Sequence, residues 1–161
     1  MVILVMGVAG SGKTTVGRLL ATELHWTFID ADDVHPPANI AKMAAGQPLT
    51  DEDRAPWLAA LRLRIDQCLA RGDPAVVTCS ALKRRYRDII ISNREQVKVV
   101  HLHGTPELLR QRISGRVGHF MAPTMLDSQL AALEPPSEAL ELDIAHTPAE
   151  LVARIRSAFG V

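Results

Sequence analysis

The sequence predicts an α/β fold: a doubly wound, five-stranded parallel sheet flanked by helices. Three observations carry the sheet. Three near-continuous apolar runs, VILVM (2–6), PAVVTC (74–79) and VKVVHL (97–102), read as strands buried on both faces, because a strand with one wet face would alternate. Amphipathic helical periods fall between them. A glycine-rich stretch, GVAGSGKT at 7–14, joins the first strand to the first helix. Strands alternating with helices of this length build βαβ units and a parallel sheet.

Each element has its own signal. Two weaker runs, WTFID (26–30) and ALELDI (139–144), complete the five strands. After the glycine stretch, Val16, Leu20 and Leu24 recur every four residues on one helix face. Leu58, Leu61, Ile65, Cys68 and Leu69 line another helix, which stops at Gly72. Leu126, Leu130 and Leu133 mark a helix ended by Pro135 and Pro136, and Leu151, Val152 and Ile155 mark the last one.

The 161 residues make one domain, long enough to bury roughly 70% of the surface the unfolded chain exposes. Eighteen Lys and Arg balance eighteen Asp and Glu, so no global field draws the chain to nucleic acid or an anionic membrane. Aromatic residues, at 4%, are too few for stacking platforms. No apolar run approaches the ~18 residues a membrane span needs, VILVM lacks the basic flank of a signal peptide, and two cysteines, Cys68 and Cys79, suit a reducing compartment. A cytoplasmic location is expected.

GVAGSGKT matches G-x-x-x-x-G-K-[ST] between a strand and a helix, the setting in which backbone N–H groups converge on phosphate oxygens. The nucleotide-binding set is Gly7, Val8, Ala9, Gly10, Ser11, Gly12, Lys13, Thr14 and Thr15. Lys13 reaches the β- and γ-phosphates of ATP, and the Thr14 hydroxyl ligates Mg²⁺. No N-K-x-D guanine reader is present, and PAVVTCSAL and VKVVHLHG end without an acid. Only WTFIDADD supplies acids, Asp30 and Asp32, at the carboxyl edge of a strand where such folds bind ligands. A small-molecule kinase needs two carboxylates: Asp30 for the magnesium shell and Asp32 to orient and deprotonate a hydroxyl. A solvated turn before Pro36 also fits D-A-D-D.

HPPANIAKMAAGQPLTDEDRAPWL (35–58), with DADDVHP (30–36), CSALKRRYRD (79–88) and GHF (118–120), resembles the gluconate kinases of the shikimate-kinase-like P-loop group over nearly the whole chain. The resemblance implies transfer of the γ-phosphoryl of ATP to the 6-hydroxyl of D-gluconate, Mg²⁺ and a homodimer. The family commonly shows D-G-D where this chain has Ala31, which places one methyl near the substrate.

Arg54 resembles a substrate-binding arginine of this group, its planar fork suited to a carboxylate; a salt bridge with Asp51 or Asp53 also accounts for it. Lys83 and Arg87, four apart, share a helix face at the sheet's carboxyl edge, while Arg84 and Arg85 face solvent. The resemblance identifies residues 110–123 as a lid, with Arg112 packing the nucleotide and Arg116 meeting transition-state charge; cations at a helix end explain the same residues. His35 approaches the substrate or packs beside its prolines. Trp57 belongs to the core, Cys79 needs no catalytic role, and Met121 and Met125 pack under the lid. His101 and His103 point to one face of a strand, with no third residue at metal spacing. A kinase for another polyol acid or shikimate, and a non-catalytic nucleotide-binding regulator, are the alternative functions.

Overall fold

The computed structural model describes residues 1–115 and 123–161. Five strands, β1 (Val2–Met6), β2 (Thr27–Asp30), β3 (Ala75–Thr78), β4 (Val97–His103) and β5 (Leu140–Asp143), form one parallel sheet in the order β2-β3-β1-β4-β5. The helices are α1 (Lys13–Leu24), α2 (Pro37–Ala44), α3 (Asp51–Arg71), α4 (Arg84–Ile90), α5 (Pro106–Ser114), α6 (Pro123–Ala132) and α7 (Pro148–Phe159). All five sequence-derived strands are present, with ends trimmed or extended by one residue.

The unbroken apolar runs follow from a sheet covered on both sides. Ile3 and Val5 of β1 pack with Val16 and Leu20 of α1, Leu109 of α5, Leu126 of α6 and Leu151 of α7. Their neighbours Val2, Leu4 and Met6 point the opposite way, onto Trp57, Leu58, Leu61 and Ile65 of α3 and Ile90 of α4. Every residue of β1 is fully buried, and each large one adds about 1.5–3 kcal/mol of burial. Side chains alternate while polarity does not.

Helix starts are set by side-chain caps. Thr50 and Asp53 form a reciprocal capping box that opens α3 well before its apolar period begins at Leu58, and Thr147 with Glu150 does the same for α7. Gly72 closes α3 in the left-handed conformation, φ 73°.

α1 approaches the sheet more closely than a side chain allows. A Cβ on Gly17 would lie 2.5 Å from Thr78 Cγ2 and 3.1 Å from Phe28 Cε2. Glycine is required here by contact, since its helical backbone suits any residue. Gly17→Ala is expected to destabilise the fold by about 1–3 kcal/mol despite the better helix propensity of alanine. Urea denaturation checks this; an equal or higher midpoint would mean that α1 and β3 separate without cost.

Candidate active site

The strand order brings two loops together. β3 lies between β1 and β2, with Thr78 in register with both Val5 and Asp30, so the glycine stretch leaving β1 and the acids leaving β2 open on one edge. Gly12 caps α1 with φ 85° and offers no side-chain oxygen. The N–H groups of the first turn are thereby left for an anion at the positive end of the helix. Lys13 folds back in this state, its Nζ donating to Val8 O at 3.1 Å.

A cavity of about 230 Å³ is lined by Ala9, Gly10, Gly12, Lys13 and Thr14 on one side and by Asp30, Asp32, Thr78, Cys79 and Ser80 on the other. Ile113 and Gln129 close it. A second cavity of about 220 Å³ lies across the glycine loop and shares Gly10 and Gly12; Ser11, Thr15, Arg112, His146 and Pro148 line it. The loop is the wall between them. Arg112 is oriented by donating to Ile144 O at 2.5 Å.

At the acid end, Thr14 Oγ1 lies 3.3 Å from Asp30 Oδ2, and Asp30 Oδ1 accepts the Asp32 N–H at 3.1 Å. This hydroxyl and carboxylate are hard oxygen donors of the kind Mg²⁺ takes. Thr78 also lines this cavity, and its hydroxyl is buried with no hydrogen-bond partner among the described residues. Among the described residues no three His, Cys, Asp or Glu side chains gather to hold a metal. Mg²⁺ needs no such cage, because it draws most of its ligands from phosphate and water. Withdrawal from water raises the Asp32 pKa above the ordinary carboxyl value, and the neighbouring Asp30 charge raises it further, although Lys13 pulls the other way. Asp32 keeps an exposed face through the cavity mouth. Burial pushes the Cys79 thiol up to about 12, so it is a neutral wall.

Beside the acid turn lie α2, α3 and the start of α4. His35 stacks on Trp57 with ring centroids 4.3 Å apart, and Trp57 Nε1 donates to Ala31 O at 2.7 Å. Trp57 is therefore both core and a stacking group. Buried Asn39 shares its amide hydrogens between His35 Nδ1, at 3.3 Å, and Asp53 O, at 2.9 Å, which leaves the His35 proton on Nε2. Burial lowers the His35 pKa. Arg54, Lys83 and Arg85 converge on the Tyr86 ring at 5.7, 5.7 and 5.3 Å.

Several expectations change here. Ala31 is buried among Trp57, Leu58 and Met6, so its methyl packs in the core and does not line the cavity. Arg54 forms no ion pair with Asp51 or Asp53; its Nη1 donates to Leu49 O at 2.7 Å, while Lys42 holds Asp53 at 2.6 Å. Arg84 and Arg85 are exposed, as expected, and Arg85 in addition pairs with Asp51, which also accepts the Tyr86 hydroxyl at 2.6 Å. Met125 is 46% exposed and does not pack inward. Met121 and Arg116 lie outside the described residues, as do residues 116–122 of the expected lid.

The largest change concerns Arg87. Lys83 is the residue before α4, so the two do not share a helix face. The Arg87 guanidinium is buried, donating to Ala81 O at 2.8 Å, Leu82 O at 3.0 Å and Glu134 O at 2.8 Å. Ala81 has φ 45°, a left-handed conformation costly for alanine. Arg87 thus fastens the loop that carries Ser80 into the cavity and is turned away from any substrate. Gln129 and His146 had no sequence signal; neither stands in a motif, and each reaches a cavity through tertiary contact, while Ser80 lies within CSALKRRYRD without having been singled out.

Arg87→Met is expected to cost about 2–4 kcal/mol, because it strands three carbonyls in a buried place, and Arg87→Lys should recover only part, lacking the planar fork. Urea denaturation checks both; wild-type stability in Arg87→Met would return the residue to the substrate side.

This geometry agrees with what the chain resembles. The family described as AAA domain matches residues 2–136. A mouse protein named probable gluconokinase is 48% identical over 153 residues, covering 84% of this chain and 83% of its own. A Gluconobacter oxydans gluconokinase is 48% identical over 136 residues, covering 84% and 76%. The crystal structure of a Sinorhizobium meliloti gluconokinase superposes with a TM-score of 0.82 at 43% identity, covering 98% of this chain and 94% of that one. With the phosphate loop, the acid pair and the parallel sheet all in register, the chain belongs to the gluconokinase family of P-loop kinases.

Proposed function

We propose that this protein transfers the γ-phosphoryl group of ATP to the 6-hydroxyl of D-gluconate, giving 6-phospho-D-gluconate and ADP. The observation that carries the reading is the one cavity lined by both Lys13 and Asp32, in a chain whose relatives are named gluconokinases.

The nucleoside of ATP lies in the cavity beside Arg112, and its phosphates follow residues 7–15 around the loop into the cavity lined by Lys13 and Asp32. Lys13 swings from the Val8 carbonyl to the β- and γ-phosphates. Thr14 and Asp30 would hold Mg²⁺, which would supply neutralising charge to the phosphates. Arg54 and Lys83, gathered at Tyr86, face the gluconate carboxylate, and His35 Nε2–H donates to a hydroxyl of the chain. Asp32 accepts the proton of the 6-hydroxyl as its oxygen bonds to the γ-phosphorus and the bond to the bridging oxygen of ADP breaks. Positioning and charge carry most of the rate, because phosphoryl transfer asks little covalent help of a protein. A homodimer, to be checked by light scattering, and a cytoplasmic location complete the proposal; among the described residues no helix is long and apolar enough to cross a membrane.

ADP release measured across gluconate, shikimate, other sugar acids and nucleoside monophosphates tests the reading, with phosphorus NMR locating the product ester. Gluconate should be preferred and phosphorylated at its 6-oxygen; preference for another acceptor, or ATP binding with no acceptor-dependent turnover, would overturn it. Arg54→Met should raise the gluconate KM about 10-fold or more while leaving ATP binding unchanged.

The raised Asp32 pKa gives a signed prediction. The folded state holds this proton more tightly than the unfolded chain, so the stability it lends is complete below the ordinary carboxyl value and is lost as pH rises through the raised one. Asp32→Asn is therefore expected to melt above the wild type at neutral pH, with no such advantage at low pH. Its kcat should drop about 10²-fold or more, with ATP affinity little changed. Thermal melts across pH and steady-state kinetics check the two halves separately.

A further inference from the structure

Gln129 belongs to neither the phosphate loop nor the acid pair. Its carboxamide oxygen nonetheless accepts the Ala9 N–H at 2.7 Å, across 120 positions of sequence. It lines the same cavity as Lys13, Asp32 and Ser80. A carboxamide has an accepting end and a donating end. The Ala9 N–H can only donate, so this bond fixes the oxygen toward the loop. The nitrogen has no partner among the described residues.

The helix that carries Gln129 is anchored on both sides. Asp127 pairs with Arg110 of α5 at 3.0 Å. Just past α6, Glu134 donates its N–H to Leu82 O at 2.9 Å, accepts from Arg87 at its carbonyl, and accepts the Arg84 N–H on its carboxylate at 2.5 Å. A side chain mounted this way is held before any ligand arrives, which is what a transition-state donor requires.

We propose that Gln129 is a catalytic donor: its oxygen fixes the Ala9 peptide of the phosphate loop, and its nitrogen donates to the phosphoryl group passing between Lys13 and Asp32. The assignment rests on the phosphoryl-transfer reading above and adds a residue to it. The transferring group spreads negative charge over its equatorial oxygens. A neutral donor stabilises that charge without adding another cation to a cavity that already holds Lys13. The bonds made and broken are those already given, and Gln129 keeps both its hydrogens.

Gln129→Glu separates the two ends of the side chain. At pH 8 the carboxylate still accepts from Ala9 but no longer donates, and it faces phosphate with a negative charge. The expected kcat with ATP and gluconate is about 10²-fold or more below wild type, with the gluconate KM within about threefold. As pH is lowered the new carboxyl takes up a proton and becomes a donor again, so the variant-to-wild-type ratio of kcat should rise. Lys13, Asp30, Asp32 and the neutral Cys79 thiol face the cavity in both proteins, so the ratio compares enzymes that differ only at position 129.

Gln129→Met, of similar size, removes both ends and should lose kcat at every pH. A Gln129→Glu enzyme within twofold of wild type, with a ratio that does not move with pH, would overturn the donor role and leave only the brace on Ala9. Should Gln129→Met fail to fold, Gln129→Glu decides alone. A wild-type chain that turns over no gluconate would overturn the phosphoryl-transfer reading itself, and this assignment with it.

Discussion

Parallel pairing of β3 between β1 and β2 is the constraint on which the site depends. Thr78 at its end is in register with Val5 on one side and Asp30 on the other, so the loops leaving the two outer strands must meet over it. Gly17 lets α1 settle onto the same residue, which brings Thr14 within 3.3 Å of Asp30. The electrostatics follow from that spacing. Two carboxylates beside each other in a partly dry cavity raise the Asp32 pKa, and only a cation can make both ionised acids comfortable there. A site of this build is poised to receive positive charge along with its phosphates.

The arginines illustrate how far side-chain type alone can go. Spacing by four places two residues on one face only when both lie within the helix, and Lys83 is the residue before α4 begins. Burial then separates Arg87 from the rest. A guanidinium out of water must spend its donors on fixed acceptors, and three backbone carbonyls, one of them on the left-handed Ala81, provide them. Arg54 and Lys83 remain around Tyr86 at partly exposed positions. The same composition thus serves scaffold and ligand, and the dividing line is solvent access.

Fold and site were unequally legible in the sequence. The strands announced themselves because both faces of the sheet are apolar, and Gly72, Thr50 and Thr147 mark helix ends by local chemistry. The phosphate loop and D-A-D-D are contiguous, so their place in the chain is also their place in space. Gln129 is the opposite case. It stands in a helix whose period reads as plain core packing through Leu126 and Leu130, and its link to Ala9, across 120 positions, exists only in the folded chain. Glu134 and Arg87, joined across 47 positions, were hidden for the same reason. Ala31 misled in the other direction, because a residue inside an acid motif is expected to face the ligand, while in the turn at 31–34 it is buried in the same core cluster as Trp57.

The two cavities meeting at Gly10 and Gly12 explain why this loop must be poor in side chains beyond its need to bind phosphate. In the proposed reaction a chain of phosphates crosses from the Arg112 side to the Asp32 side in contact with backbone N–H groups. A Cβ on Gly10 would stand 3.0 Å from Ile113 and 3.1 Å from the Leu109 carbonyl, so the wall is already at contact with α5 and has no room to thicken. Thinness lets one side of the loop hold the nucleoside while the other presents the terminal phosphorus to an acceptor. In the proposed reaction, direct transfer between two bound molecules needs no intermediate on the protein, and the residues around the cavity of Lys13 and Asp32 are left the tasks of aligning a hydroxyl, receiving its proton and meeting the charge of the group in transit.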